Sequence, residues 1–269
     1  MQYFVSIENN SYHRWQAELL IESFKYHHIE DDLIITIADN ATGVNYTKNL
    51  LAHKNKFVIM DFGQTYNKLR SLMWALESGV LKSPFTVLHP DMVLLKPIEE
   101  KEHNIVFNVD EDNILSTKQL ISSYVKSIVR EKDKDWFMWM PLGSSMIFKD
   151  VPNEFFTMVY HELELLVKEF GHDKLEIAAW LVALYKYLFF DNVFNLTLKG
   201  DSLEQNLADH GLVKNLIHYR HGLPPEFNKH YFKADDLILN ESNPFDSLLS
   251  NNVTSSTDFV CELIKRYLA

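Results

Sequence analysis

The sequence predicts an α/β fold: a mostly parallel central sheet with helices on its faces. Short continuous apolar runs bounded by polar residues recur through the first part of the chain, most clearly Leu33-Ile-Ile-Thr-Ile-Ala38. Unbroken runs of this kind are those of strands covered on both faces. Between them lie longer stretches whose apolar residues recur at helical spacing. The order that results, β-α-β-β-α-β, returns strands in one direction through helical connections.

In chain order, residues 2–7 (QYFVSI) form the first strand, which runs out at Glu8-Asn9-Asn10. Over residues 13–28, Trp15, Leu19, Leu20 and Phe24 mark one face of a helix. Residues 33–38 lie between Asp31-Asp32 and Asp39-Asn40 and form the second strand, and 57–60 the third. A helix over 68–78 turns Leu69, Leu72, Met73 and Leu76 inward, and 85–88 is the fourth strand. The second half predicts a helix over 117–130, then a strand (MIFK) late in 138–149, behind Pro141 and Gly143. Helices over 153–170 and 173–190 follow, separated by Gly171. Residues 241–257, rich in Asn and Ser, read as a loop, and 258–268 as a terminal helix. With no repeat and no clean linker, residues 1–240 are expected to form one domain, with 241–269 packed on it.

Composition narrows the classes. A chain of 269 residues, 46% hydrophobic and 13% aromatic, can build a core without a disulfide or structural metal. The formal net charge of −11 weighs against a nucleic-acid partner, whose binding runs on Lys and Arg. One cysteine, Cys261, cannot make an intrachain disulfide, which fits a reducing compartment. The opening MQYFVSIENN has no basic segment followed by an apolar one, so a cytoplasmic location is expected. The most apolar later stretch, 177–190, is broken by Lys186 and too short to span a membrane. No G-x-G-x-x-G follows the first strand and no G-x-x-x-x-G-K-(S/T) occurs. That sets aside Rossmann dehydrogenases and Walker-A enzymes.

The most informative stretch is Phe85-Thr-Val-Leu-His-Pro-Asp-Met-Val-Leu-Leu-Lys-Pro97. A strand runs into His89-Pro90-Asp91, and a second apolar run follows at once. Open α/β sheets bind ligands beyond the carboxyl ends of their strands. A carboxylate at that edge, Asp91, suits a hard divalent cation, and His89 can add a nitrogen ligand, more natural for Mn2+ than for Ca2+. An ordinary turn explains the tripeptide equally. Asn67 and Lys68 open a helix: Asn67 as a cap with a solvated Lys68, or helix terminus and lysine together as a diphosphate site. Arg70, one turn on, is a weaker candidate. Asp173 and Glu176 have capping-box spacing. Val5, Ser6, Glu8 and Asp39 end strands where base and ribose commonly bind.

The segment from Tyr66-Asn67-Lys68 through Trp74 to Pro90-Asp91-Met92-Val-Leu-Leu-Lys-Pro97 resembles the GT-A glycosyltransferases. It is most similar to the peptidyl hydroxyproline arabinosyltransferase and peptidyl serine galactosyltransferase group. Element order follows that family over roughly residues 3–219, and the match is sharp at 66–97. The resemblance implies a Rossmann-like GT-A sheet, a nucleotide diphosphate sugar donor (UDP-sugar favoured), a hydroxyl acceptor, and Mn2+ or Mg2+. Asp91 matches the last carboxylate of the family's D/E-P-D metal motif, while His89 stands where the family has a carboxylate. His218 matches a C-terminal histidine that completes such metal sites, with His221 the next candidate. Pro141-Leu-Gly-Ser-Ser-Met-Ile-Phe148 resembles the strand lining donor and acceptor, so Gly143 and Ser144 are implied donor contacts. Glu176, and after it Asp173, matches an acidic residue facing the sugar.

The expectation is therefore a metal-dependent glycosyltransferase. The alternative is a catalytically inactive GT-A-like protein that binds nucleotide sugars, motivated by His89. A nucleotidyltransferase ranks lower, because Glu8-Asn9-Asn10-Ser11-Tyr12 after the first strand is not a Gly-rich basic loop.

Overall fold

The computed structural model describes residues 1–26, 28–29, 32–38, 56–60, 67–99, 102–108, 124, 128–133, 145–171, 175–189, 196–201, 204–206, 216–219 and 260–261. The chain divides into two compact units interleaved along the sequence. Unit 1 comprises Met1–Gln2, Thr65–Val87 and Glu100–Ser202; unit 2 comprises Tyr3–Gln64, Leu88–Glu99 and Leu203–Ala269.

Unit 2 begins with β1 (Gln2–Glu8), α1 (Ser11–Tyr26), β2 (Leu33–Ala38) and β3 (Lys56–Met60). β1 and β2 run parallel, from Tyr3 opposite Leu33 to Glu8 opposite Ala38. β3 adds to β2 in parallel, from Lys56 opposite Ile34 to Met60 opposite Ala38. Every residue of β2 is buried, which is why that strand carries no polar alternation. Its isoleucines are β-branched and fit the pleated surface. α1 starts at Ser11, two residues earlier than apolar spacing alone suggests. The reason is a cap: the Asn10 side-chain carbonyl accepts the His13 N–H at 2.7 Å. Trp15, Leu19, Leu20 and Phe24 are its buried face. The Tyr3 ring meets Phe24 edge-on at 4.8 Å.

The same unit holds β5 (Met92–Leu94), β9 (Glu204–Asn206) and β10 (Leu216–His218). β10 pairs antiparallel with β5 and parallel with β9. Ser23 of α1 supports β5, its hydroxyl donating to the Leu20 carbonyl at 2.6 Å and accepting the Leu94 N–H at 3.2 Å.

Unit 1 holds α2 (Asn67–Glu77), β4 (Phe85–Leu88), β6 (Ile105–Asn108), β7 (Met146–Phe148), α3 (Asn153–Phe170), α4 (Glu176–Phe189) and β8 (Leu198–Asp201). β7 pairs antiparallel with both β4 and β6, and β8 joins β6 in parallel. The core here is aromatic. Phe148 lies 5.3 Å from Phe85, 5.1 Å from Phe156 and 5.6 Å from Trp180, ring centre to ring centre. α3 ends where Gly171 turns left-handed, φ 74°, and donates its N–H to Val167 at 2.8 Å. A Cβ would make that conformation costly.

Parallel pairing predominates in the α/β fold that results. The strands over 33–38 and 85–88 and the helix over 153–170 have the predicted bounds. β6, β8 and β9 were not expected. The helix expected over 117–130 is described only at Tyr124 and at residues 128–130, and the stretch 241–257 lies outside the described residues. Among the described residues, no helix is long and apolar enough to cross a membrane.

Candidate metal centre

β4 ends at Leu88, and the turn His89-Pro90-Asp91 leads directly into β5. The turn is tied back on itself, with the His89 N–H pointing to the Met92 sulfur at 3.3 Å. Opposite, β10 places His218 in register with Met92. The pairing continues one step further: the Tyr219 N–H donates to the Asp91 carbonyl at 3.1 Å. Tyr219 in turn stacks on Trp15 of α1, with centroids 5.9 Å apart. A helix thus anchors the end of β10, and β10 sets where Asp91 and His218 meet.

They meet closely. His218 Nε2 lies 3.2 Å from Asp91 Oδ1. The His89 ring is tilted 53° to the His218 ring, with centroids 5.5 Å apart. One ligand atom from each of His89, Asp91 and His218 falls within 4.8 Å of the others. Asp91 is 6% exposed and His218 3%, while His89 is half-buried.

A buried carboxylate needs a positive partner. An imidazolium or a divalent cation meets that need, and two imidazole nitrogens with one carboxylate oxygen are a recognised donor set for transition metals. Metal–ligand bonds of about 2.1 Å put two ligands on one ion roughly 3–4 Å apart. The Asp91–His218 separation is in that range, and the spread over all three groups is close to it. The residues present therefore fit a divalent cation.

Two other expected site residues meet in unit 1. Lys68, in the first turn of α2, forms an ion pair with Glu176, the first residue of α4, at 2.8 Å. Glu176 also accepts the Trp180 indole N–H at 3.2 Å. Spacing of i and i+4 on one helix was the available signal for Trp180, and sequence reasoning passed over it. The pair is part-exposed, at 19% for Lys68 and 30% for Glu176. Asn67, the first residue of α2, is buried. Arg70 donates to the Tyr160 hydroxyl of α3 through Nε at 3.1 Å and Nη2 at 2.9 Å, and its guanidinium lies 5.7 Å from the ring centre. That contact engages the side chain within the unit.

At the strand ends of unit 2, Val5 is fully buried, and half-buried Ser6 lies opposite Thr36. Glu8 is half-buried; burial pushes its carboxyl above the usual range, opposed by a hydrogen bond from the Asn10 amide at 3.0 Å. Asp39, Gly143, Ser144, Asp173 and His221 lie outside the described residues.

No protein-family model matches the sequence, and no curated protein does. Among solved structures, the chain is similar to the bifunctional glycosyltransferase WbbM in its apo form. The TM-score is 0.49 at 13% identity, covering 100% of this chain and 52% of that one. This chain thus spans about half the length of that protein. It is also similar to the galactosyltransferase LgtC in complex with donor and acceptor sugar analogues. That match has a TM-score of 0.44 at 9% identity, covering 84% of this chain and 89% of that one. An active-site mutant of LgtC gives 0.46 at 10% identity, with 87% and 92% covered.

Proposed function

We propose that this chain is a metal-dependent glycosyltransferase that moves a sugar from a nucleotide diphosphate sugar, UDP-sugar by preference, to a hydroxyl acceptor. The observation that supports it most is the meeting of His89, Asp91 and His218 within 4.8 Å. Two of the three come from one turn and the third from a strand far along the sequence. The likeness to GT-A enzymes points to Asp91 within residues 66–97, with His89 at the neighbouring motif position, and separately to His218.

His89, Asp91 and His218 would hold the cation, Mn2+ or Mg2+. When bound, it supplies positive charge against the diphosphate as that group leaves. In the transfer, the acceptor oxygen forms a bond to the sugar's anomeric carbon and the bond from that carbon to the phosphate oxygen breaks. The bonding pair departs with the nucleoside diphosphate. The acceptor's proton must go to a base; the likeness of Glu176 to an acidic residue facing the sugar makes it the candidate, and within unit 1 Lys68 and Trp180 orient it. Burial of Asp91 and His218 keeps water from competing for the same ligand atoms.

The alternative, a nucleotide-sugar-binding protein without turnover, rests on one observation: His89 occupies a position where the resembling family has a carboxylate. Release of nucleoside diphosphate from a panel of UDP- and GDP-sugars, with and without Mn2+, separates the two. Metal-dependent release that is lost in Asp91→Ala supports transfer. Metal-dependent nucleotide binding without release from any donor supports the alternative. Absence of both binding and release contradicts both.

A further inference from the structure

We infer that Trp15 is a positioning residue for the cation centre: stacked on Tyr219, it holds Asp91 and His218 at the separation at which one ion can bind both. The inference rests on the cation centre of the proposed function and adds the side chain that keeps its ligands together.

The strands that carry the ligands are short. β5 and β10 have three residues each, and pairings of that length need another layer to cover them. α1 supplies it at two places. At one end, the Ser23 hydroxyl accepts the Leu94 N–H at 3.2 Å. At the other, the Trp15 ring stacks on Tyr219, with centroids 5.9 Å and planes 27° apart. Trp15 and Ser23 are eight residues apart on α1, about 12 Å along its axis. Asp91 and Leu94 are three strand steps apart, about 10 Å. The two contacts therefore clasp both ends of the β5–β10 pairing, with Trp15 at the end where the ligands stand.

The Trp15 contact bears on two ligands at once. Tyr219 follows His218 directly, and its N–H donates to the Asp91 carbonyl at 3.1 Å. Where Tyr219 sits thus fixes the backbone of His218 and that of Asp91 together. Trp15 is 1% exposed and Tyr219 is fully buried, so a smaller side chain at position 15 leaves a void into which Tyr219 can move. Such a shift spoils the 3.2 Å approach of His218 to Asp91. The support is also reciprocal: a helix that steadies the centre is steadied in turn by an ion bound there.

The test uses the full chain with Mn2+ and no nucleotide. Affinity is read from the free-ion electron paramagnetic resonance signal, at a temperature where each variant is folded. Trp15→Leu should bind Mn2+ roughly tenfold more weakly, the loss common when support behind metal ligands is removed. Trp15→Phe keeps a ring against Tyr219 and should recover most of that loss. Phe24→Leu removes a different aromatic contact of the same helix, that with Tyr3 of β1 at 4.8 Å. It should lower Tm and leave Mn2+ affinity as in the parent protein. Parent-like affinity in a folded Trp15→Leu overturns the inference. An equal loss in Phe24→Leu overturns it too, since it would mark general loosening of α1. Where Trp15→Leu does not fold, amide hydrogen exchange in the parent protein decides. Mn2+ should then slow exchange around Trp15 more than in α3; equal slowing in both helices, or none in α1, overturns the inference. Absence of any Mn2+ binding by the parent protein removes the cation centre and this inference with it. The expected pattern without donor turnover supports the inference and counts against transfer.

Discussion

Asp91 in unit 2 and Glu162 in unit 1 are both buried carboxylates, at 6% and 2% exposure, yet their neighbours give them opposite capacities. Glu162 accepts from the Lys186 ammonium at 2.6 Å and from the Tyr124 hydroxyl at 3.1 Å. Its charge is balanced by Lys186 and both partners donate to it, and an ammonium has no lone pair to offer a metal. The effect reaches Tyr124, whose hydroxyl is held well above its usual titration range by burial first and then by the Glu162 charge. Asp91 is faced instead by imidazoles, which carry lone pairs. Burial is the same in kind, and the partners decide whether a carboxylate closes a structural network or opens a cation site.

The largest effect on stability is expected at Glu162. Glu162→Ala leaves Lys186 and Tyr124 facing a hole. Breaking a fully buried pair costs about 3–5 kcal/mol, and Lys186 is 30% exposed, so about 2–3 kcal/mol is expected after solvent screening. Denaturant unfolding of the variant measures it, and Mn2+ affinity should stay unchanged. Loss of Mn2+ affinity in a folded Glu162→Ala would break the contrast between the two carboxylates.

A smaller effect belongs to the part-exposed pair Lys68–Glu176. A double-mutant cycle with Lys68→Met and Glu176→Gln should give a coupling of about 0.5–1 kcal/mol in unfolding free energy. A value near that of a buried pair would mean that Trp180 shields the contact more than its exposure implies.

Glu8 sharpens the comparison at its lower end, as a half-buried acid whose pKa burial raises. A raised folded-state pKa means the folded chain holds this proton more tightly than the unfolded one. The contribution to stability is thus full below the ordinary glutamate value of 4.5 and lost as pH rises through the folded value. Glu8→Gln should therefore raise Tm at pH 7 and leave it nearly unchanged at pH 4. An equal shift at both pH values would show that burial of the charge is not the cause.

Much of the fold was legible because its elements declare themselves locally. β2 and β4 are unbroken apolar runs, and α3 is bounded by Pro152 and Gly171. β8 was not legible: Leu-Lys-Gly-Asp is mostly polar and short, and only pairing with β6 makes it a strand. β6 is fully buried but four residues long, with polar residues on both sides.

The candidate site divides the same way. Asp91 and His89 stand in one turn after a readable strand. His218 was singled out from 12 histidines by a family likeness and the short apolar run before it, and β5–β10 pairing is what brings it to Asp91. Glu162 was missed because a glutamate among Glu164, Lys168 and Glu169 looks solvent-facing. The signal was its register: Phe155, Val159, Glu162 and Leu166 share one buried stripe of α3. The Lys68–Glu176 contact joins two helix starts far apart in sequence, and no local pattern encodes it.

The central claim is that Asp91 with its two histidines forms the cation site through which a nucleotide is bound. Isothermal titration of the purified chain with UDP, with and without Mn2+, on the parent protein and on Asp91→Ala, tests it most directly. The account predicts UDP binding to the parent protein only when Mn2+ is present, and none to Asp91→Ala in either condition. UDP binding of equal strength without Mn2+, or to Asp91→Ala with it, would contradict the account.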